Sequence, residues 1–446
     1  MLQFGTQRVN DRGHLEVGGC DCVDLAERFG TPLYVLDEAL VRENCRRYVE
    51  SFGQRYPEVT VAYAGKALLC TAMCRLVESE GLALDVASGG ELYTTLAAGF
   101  PPERIVLHGN YKTADELQMA LAAGVHEIVV DSLPELDEVA RLGRERGRPV
   151  DIAIRVAPGI KAHTHHYIQT GQLDSKFGLG IEGSLALSGL KAAHDNAWLN
   201  LLGVHCHIGS QLFGVESYEL TVEMMLGLLA EAEQEHGITL RELNLGGGLG
   251  IRYTHEDAAA PVEHLAEAIT TAVQDGCERR GLALPELWLE PGRSITGEAG
   301  VTLYRIGVVK EIPGVRTYVS VDGGLSDNPR PGLYQAEYEA VIANRADAES
   351  NRRARVSGRH CETDTLIEQI ALADPQAGDI LAVFSTGAYT YAMASNYNRF
   401  TRPAMVLARA GQADVIVERE TYDDLISHDR IPARLAEPVP AQGSRR

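Results

Sequence analysis

Apolar residues recur along this chain in short runs, separated by longer stretches that are apolar on one side only. The runs fall at Val59–Ala64, Leu82–Ala87, Arg104–Gly109, Glu127–Asp131, Asp151–Ala157, Leu201–Ile208, Leu243–Gly248 and Leu287–Gly292, and read as buried strands. Between them, Thr71–Gly81, Thr113–Gly124, Leu133–Gly147, Ser217–Gly237 and Pro261–Arg280 carry helical periodicity. Ser88-Gly-Gly-Glu91, Thr113-Ala-Asp-Glu116 and Ser132-Leu-Pro-Glu135 fit the capping box, each directly after a strand run. Gly81, Gly124, Gly147 and Gly237 stand where such helices stop. Strands alternating with helices, none paired as hairpins, predict a (β/α)8 barrel. A doubly wound open sheet is the alternative, because a strand count does not show closure.

Beyond about Pro291 the helical patterning fades. Val301–Val309, Val315–Val321, Ile380–Phe384, Met405–Ala408 and Ala413–Val417 read as shorter strands of a mainly β second domain. Pro32–Asp37 is a surplus run before the first long helix and is a candidate for that same domain. The division is therefore 38–292 for the barrel, with 1–37 and 293–446 forming the β part. From Ser427 onward the chain is rich in Pro, Arg and Ala and reads as a loosely ordered tail.

Composition narrows the partners. Among 446 residues, 41 Lys and Arg stand against 62 Asp and Glu, for a net charge of −21. Such a chain repels phosphate backbones and anionic lipid, so neither nucleic acid nor a membrane surface is expected as partner. Met1–Gly13 lacks the apolar segment of a signal peptide, and no apolar run is long enough to span a bilayer. The eight cysteines contain no C-x-x-C pair. A chain this long needs no disulfide staples, so a reduced, cytoplasmic setting is expected.

In a barrel the active site lies at the C-terminal ends of the strands. Here the runs end in or carry Lys66, Asp85, His108, Arg155, His205-Cys-His207-Ile-Gly-Ser210, Gly246-Gly247-Gly248 and Glu290-Pro-Gly292-Arg293. Consecutive glycines let backbone amides approach an anion, and barrels commonly bind phosphate after strands seven and eight. Lys66 reads blandly as a snorkelling surface lysine, and functionally as an amine placed for a Schiff base. Glu290 reads as an ion-pair residue or as the carboxylate partner of a pyridine nitrogen. A phosphate cradle, a lysine and a buried glutamate together suggest pyridoxal phosphate. The rival is a metal-dependent barrel hydrolase, with His205 and His207 on one strand face and His163, His165 and His166 nearby in sequence.

Longer motifs carry a resemblance. Gly-Thr-Pro-Leu-Tyr-Val (30–35), Ala-Tyr-Ala-Gly-Lys-Ala (62–67), Leu-Asp-Val-Ala-Ser-Gly-Gly-Glu-Leu (84–92), His-Gly-Asn (108–110) and Ala-His-Thr-His (162–165) lie in the first half. His-Cys-His-Ile-Gly-Ser-Gln (205–211), Asn-Leu-Gly-Gly-Gly (244–248) and Glu-Pro-Gly-Arg-Ser (290–294) follow. Asp-Gly-Gly (322–324), Arg-Pro-Gly-Leu-Tyr (330–334), Cys-Glu (361–362) and Gly-Ala-Tyr…Met-Ala-Ser-Asn-Tyr-Asn (387–398) complete the set. From about residue 10 to 425 the chain resembles the diaminopimelate decarboxylases, members of the alanine-racemase-like pyridoxal phosphate decarboxylases.

The resemblance implies a barrel plus a β domain, a homodimer with shared active sites, and decarboxylation of meso-2,6-diaminopimelate to L-lysine and carbon dioxide. The same chemistry on lysine or ornithine is the near alternative; those substrates lack the second carboxylate that Arg330 and Tyr334 would meet. By resemblance, Lys66 would hold the cofactor, His207 would stack on its ring, Glu290 would pair with its nitrogen, and Asp85 and Gly292 would line its site. Ser210, Gly246, Gly247, Gly248 and the amides beside Arg293 would hold the phosphate. Arg293, Arg330 and Tyr334 would meet substrate carboxylates, Glu362 would read the distal amine, and Tyr389 would touch cofactor and substrate. Cys361, the expected proton donor, and Glu362 would come from the second subunit. Three positions depart from the usual motifs: Gly65 replaces a serine, Tyr111 replaces an asparagine, and Cys361-Glu362-Thr363-Asp364 lacks a glycine.

Overall fold

The computed structural model describes residues 2–159 and 175–436. Eight parallel strands form its centre: β1 (Val59–Ala64), β2 (Ala83–Val86), β3 (Ile105–Leu107), β4 (Glu127–Val130), β5 (Val150–Ala157), β6 (Leu199–His205), β7 (Glu242–Asn244) and β8 (Glu286–Leu289). Each pairs with the next, and β8 returns to β1 with Leu287 opposite Val59. The sheet is a closed barrel, which excludes the open doubly wound alternative. Alternate side chains point inward along a strand, and Ala62, Ala83, Val106, Val129, Ala153 and Trp288 fill the middle of the barrel.

Side-chain caps start the helices where the sequence places them. Thr113 and Glu116 make the full reciprocal box. At Ser88 and Ser132 the hydroxyl caps as expected, but the glutamate reaches one residue further back: Glu91 accepts from Ala87 N at 2.7 Å and Glu135 from Asp131 N at 2.8 Å. That extra reach ties each helix to the end of the preceding strand. Gly124, Gly147 and Gly237 adopt the left-handed conformation that ends their helices.

The second sheet runs in the order Thr365–Leu372, Arg352–Ser357, Arg316–Val321, Gly300–Ile312, Leu33–Asp37, Ala404–Arg409, Gln412–Val417. The surplus strand Leu33–Asp37 sits inside it, antiparallel to Gly300–Leu303 and parallel to Ala404–Ala408. Ile380–Val383 and Ala340–Ile342 extend it beside Gly300–Ile312. A three-stranded sheet of Arg8–Val9, Leu15–Val17 and Cys20–Asp21 lies near the N-terminus. The long strand Gly300–Ile312 begins just after β8, so the second sheet is set beside the C-terminal rim of the barrel. Among the described residues, no helix is long and apolar enough to cross a membrane. The predicted tail extends past residue 436, outside the described residues.

Candidate active site

A cavity of about 270 Å³ opens at the C-terminal ends of the barrel strands. Lys66 enters it from a single helical turn, Gly65–Ala67, immediately after β1. The barrel wall surrounds the side chain, yet the cavity leaves it accessible. Among the described residues, its amine makes no hydrogen bond or ion pair. The contrast with Lys112 is instructive: that buried amine is bound by the carbonyls of Gly109 and Val129 and by Glu135. Burial alone would lower the Lys66 pKa, but Tyr389, Asp85 and Glu290 outweigh it and raise the value.

Glu290, one residue past β8, is held by side chains from three other strands. Asn244 Nδ2 donates to Oε1 at 2.7 Å, and His205 Nε2 lies 3.1 Å from Oε2. His108 Nε2 stands 2.8 Å from Oε1 without hydrogen-bond alignment, and 3.7 Å from Asp85. Burial pushes the His205 pKa down to about 3, so its ring is neutral at pH 7. A neutral ring facing a carboxylate through Nε2 carries its proton there, which leaves Nδ1 buried and without a partner among the described residues. Burial disfavours the Glu290 charge, but His108 and His205 overcome it and hold the carboxyl well below its usual range. Burial raises the Asp85 carboxyl, with His108 opposing.

The other wall is cationic. Arg293 and Arg330 are both buried. Arg293 donates to Ser210 Oγ at 2.8 Å and to the Tyr253 hydroxyl, and its guanidinium lies 4.8 Å from the centre of the Tyr389 ring. Arg330 donates to the Tyr338 hydroxyl at 2.7 Å and lies over the Tyr253 ring. Neither has a carboxylate partner among the described residues. Two buried cations without a counter-charge, facing one cavity, mark a place for anionic groups.

The glycine turn after β7 is shaped by close approach. A Cβ on Gly247 would lie 2.1 Å from the Glu290 carbonyl oxygen, and one on Gly248 would lie 2.6 Å from that of Gly209. Only glycine brings this backbone against both neighbouring loops. Tyr389 is held at a φ of +59°, with its N–H on the Ala67 carbonyl at 2.8 Å. That strained conformation ties the tyrosine to the turn that carries Lys66.

The family model for the pyridoxal binding domain of pyridoxal-dependent decarboxylases matches residues 38–297. The chain is 48% identical to the diaminopimelate decarboxylase of Bacillus subtilis, over 96% of this chain and 98% of that one. It is 44% identical to the Synechocystis enzyme of the same name, over 96% and 93%. The chain belongs to the diaminopimelate decarboxylase family. A crystal structure of the diaminopimelate decarboxylase from M. jannaschii in co-complex with L-lysine matches with a TM-score of 0.90 at 36% identity, covering 96% of this chain and 99% of that one. A lysine/ornithine decarboxylase of Vibrio vulnificus shares the fold at a TM-score of 0.74 and 24% identity, covering 86% and 96%.

Of the residues singled out in the sequence, Lys66, Asp85, His207, Ser210, Glu290, Arg293, Arg330, Tyr334 and Tyr389 line the one cavity. Gly246, Gly247, Gly248 and Gly292 stand in the backbone behind it; a Cβ on Gly292 would touch Ala64 and Ala67. Cys361 and Glu362 do not line it. Cys361 is exposed, with its N–H on Asn398, and Glu362 accepts from the Tyr397 hydroxyl at 2.7 Å. His108, His205 and Arg155 were visible as strand-end residues and Asn244 within the 244–248 motif, but their shared hold on the site was not. Arg155 is buried beside Asp131 at 3.7 Å and over the Phe177 ring at 4.3 Å.

The metal reading has a partial geometric counterpart, since His108, His205 and Glu290 place ligand atoms within 4.8 Å of one another. The hydrogen bond to neutral His205 accounts for part of that closeness. His163, His165 and His166 lie outside the described residues.

Proposed function

We propose that this chain decarboxylates meso-2,6-diaminopimelate to L-lysine and carbon dioxide, using pyridoxal 5'-phosphate. The observation that carries the reading is one cavity holding an unpartnered lysine, a charged buried glutamate and two buried arginines without counter-ions. These residues fit the cofactor. Lys66 would be the amine for its aldehyde carbon, and Glu290 would pair with its ring nitrogen. His207 would lie against its ring, with Asp85 also lining the site. Ser210, the Gly246–Gly248 turn and the backbone at Gly292 and Arg293 take its phosphate. When bound, pyridoxal phosphate supplies the conjugated ring that takes up the electron pair left as carbon dioxide departs.

The protein's own part is to bind, orient and move protons. The carboxylate of Glu290, held ionised by His108 and His205, would stabilise a proton on the ring nitrogen. Arg293, Arg330 and Tyr334 hold substrate carboxylates, and Tyr389 packs against cofactor and substrate. Substrates with one carboxylate leave part of that cationic wall unpaired, which favours a diamino-dicarboxylic acid. The Cys361 thiol then delivers a proton to the α-carbon, and Glu362 accepts the distal ammonium. Because neither lines the cavity of its own chain, we assign them to the site of a second copy in a homodimer. We take residues 38–292 as the cofactor-binding unit, with 1–37 and 293–446 completing site and interface. Eight free cysteines fit a reducing, cytoplasmic setting.

The test supplies the cofactor-loaded protein with meso-diaminopimelate, lysine or ornithine and measures carbon dioxide and amine products. Lysine formed from meso-diaminopimelate, with little turnover of the others, is expected. Preferential cadaverine or putrescine formation would replace the substrate assignment, and no carbon dioxide from any of them would overturn the reading.

A further inference from the structure

The floor of the barrel, opposite the cavity, carries carboxylates where barrels usually carry branched apolar side chains. Strand alternation puts Glu127, Asp151 and Glu286 on the inward face, two residues before Val129, Ala153 and Trp288 of the apolar layer. Glu242 likewise stands two residues before Asn244, which points in to Glu290. Two of the four are accounted for by neighbours: Asp151 accepts from Asn200, and Glu286 from Thr60.

Glu127 and Glu242 are different. They are 2% and 8% exposed, and Oε2 of Glu127 is buried with no hydrogen-bond partner among the described residues. His126 completes the group. Its ring lies against Trp288, with centroids 4.7 Å apart, and its Nε2 stands 3.4 Å from both Glu242 oxygens. One ligand atom from each of His126, Glu127 and Glu242 falls within 4.8 Å of the others.

We propose that His126, Glu127 and Glu242 bind a divalent transition cation of the zinc type at the barrel floor. Two neighbouring buried carboxylates require a counter-charge, and a single imidazole can offset at most one of them. A proton is the cheaper answer, and burial together with Glu242 does push the Glu127 carboxyl well above its usual range. Yet one proton serves one oxygen, and Oε2 has no hydrogen-bond partner among the described residues. A cation satisfies that oxygen and both charges together. One imidazole with two carboxylates suits zinc better than magnesium or calcium, which favour oxygen alone. The partly exposed His126 side chain leaves an open edge for entry and for a water in the fourth position. Because β4 and β7 are three places apart in the ring, the ion would tie opposite walls of the floor and share no residue with the cavity above.

The experiment uses chelator-treated protein loaded with pyridoxal phosphate, so that Glu290 and its histidines are occupied. Zinc is titrated by calorimetry, and Tm is followed with and without it. About one zinc per chain and a raised Tm are expected. His126→Ala and Glu242→Gln should each weaken binding by at least about 10-fold, the loss that removing even an outer partner of a metal ligand brings. Should Glu242→Gln fail to fold, His126→Gln at the exposed edge keeps the test open. No zinc bound by the wild type, zinc bound equally by the variants, or zinc displaced by added cofactor would each overturn the proposal.

Discussion

Replacing Glu290 with glutamine keeps the shape of the side chain and removes its charge. Asn244 and His205 both donate to the carboxylate, at 2.7 and 3.1 Å. A hydrogen bond to a charged group is worth about 1.5–3 kcal/mol against about 0.5–1.5 for a neutral one, so the two together weaken by about 2–3 kcal/mol. Glutamine also turns an N–H toward partners that already donate, so one contact becomes donor against donor. Stability should fall by that amount, measured by denaturant unfolding. The kinetic loss is separate. An electrostatic stabiliser of developing charge is worth about 2.7–4 kcal/mol, roughly 10²–10³-fold in kcat. The assay is carbon dioxide release from meso-diaminopimelate at matched cofactor occupancy, read from absorbance. A Glu290→Gln enzyme within about threefold of wild-type kcat, with cofactor retained, would refute the reasoning.

Three further outcomes follow from the same geometry. The His205 ring takes up no second proton in the fold until about pH 3, whereas an unfolded imidazole takes one near 6.5. The unfolded chain therefore binds more protons between those values, and stability should fall as pH drops through that window, by up to about 1.4 kcal/mol per unit. Denaturant unfolding at pH 7 and 5.5 checks this, and His205→Gln should flatten the slope; an unchanged slope would contradict it. Gly247→Ala drives a Cβ into the Glu290 carbonyl, so it should cost about 1–3 kcal/mol of stability and weaken cofactor retention, whereas cofactor affinity equal to wild type would remove the turn from the site. Cys361→Ala should lower kcat about 10²–10⁴-fold with the cofactor still bound. Mixing it with Lys66→Ala subunits should restore part of the activity, and failure to do so would place Cys361 in its own chain's site.

The barrel was legible because its strands are largely buried and read as short apolar runs, and side-chain caps at Ser88, Thr113 and Ser132 mark the helices that follow three of them. Arg352–Ser357 and Thr365–Leu372 escaped for the opposite reason. Their outer faces carry Arg352, Arg355 and Glu368, which pair across strands and with Glu311, so no apolar run marks them. Closure rests on the β8–β1 pairing, a contact more than two hundred residues long that no local pattern encodes. In the site, Lys66, Glu290 and the glycine triplet stood out by residue type at strand ends. The network that sets their charge did not, because Asn244 and His205 lie 46 and 85 residues from Glu290 and meet it only in the closed ring. Arg330 was visible, but its lack of a counter-ion is a property of tertiary packing alone.

The most direct test of the central claim is to load the protein with pyridoxal phosphate, reduce it with borohydride, and map the modified peptide by mass spectrometry. The label is expected on Lys66, whose amine has no hydrogen-bond or ion-pair partner among the described residues that line the cavity. A label on Lys112, on another lysine, or on none would contradict it.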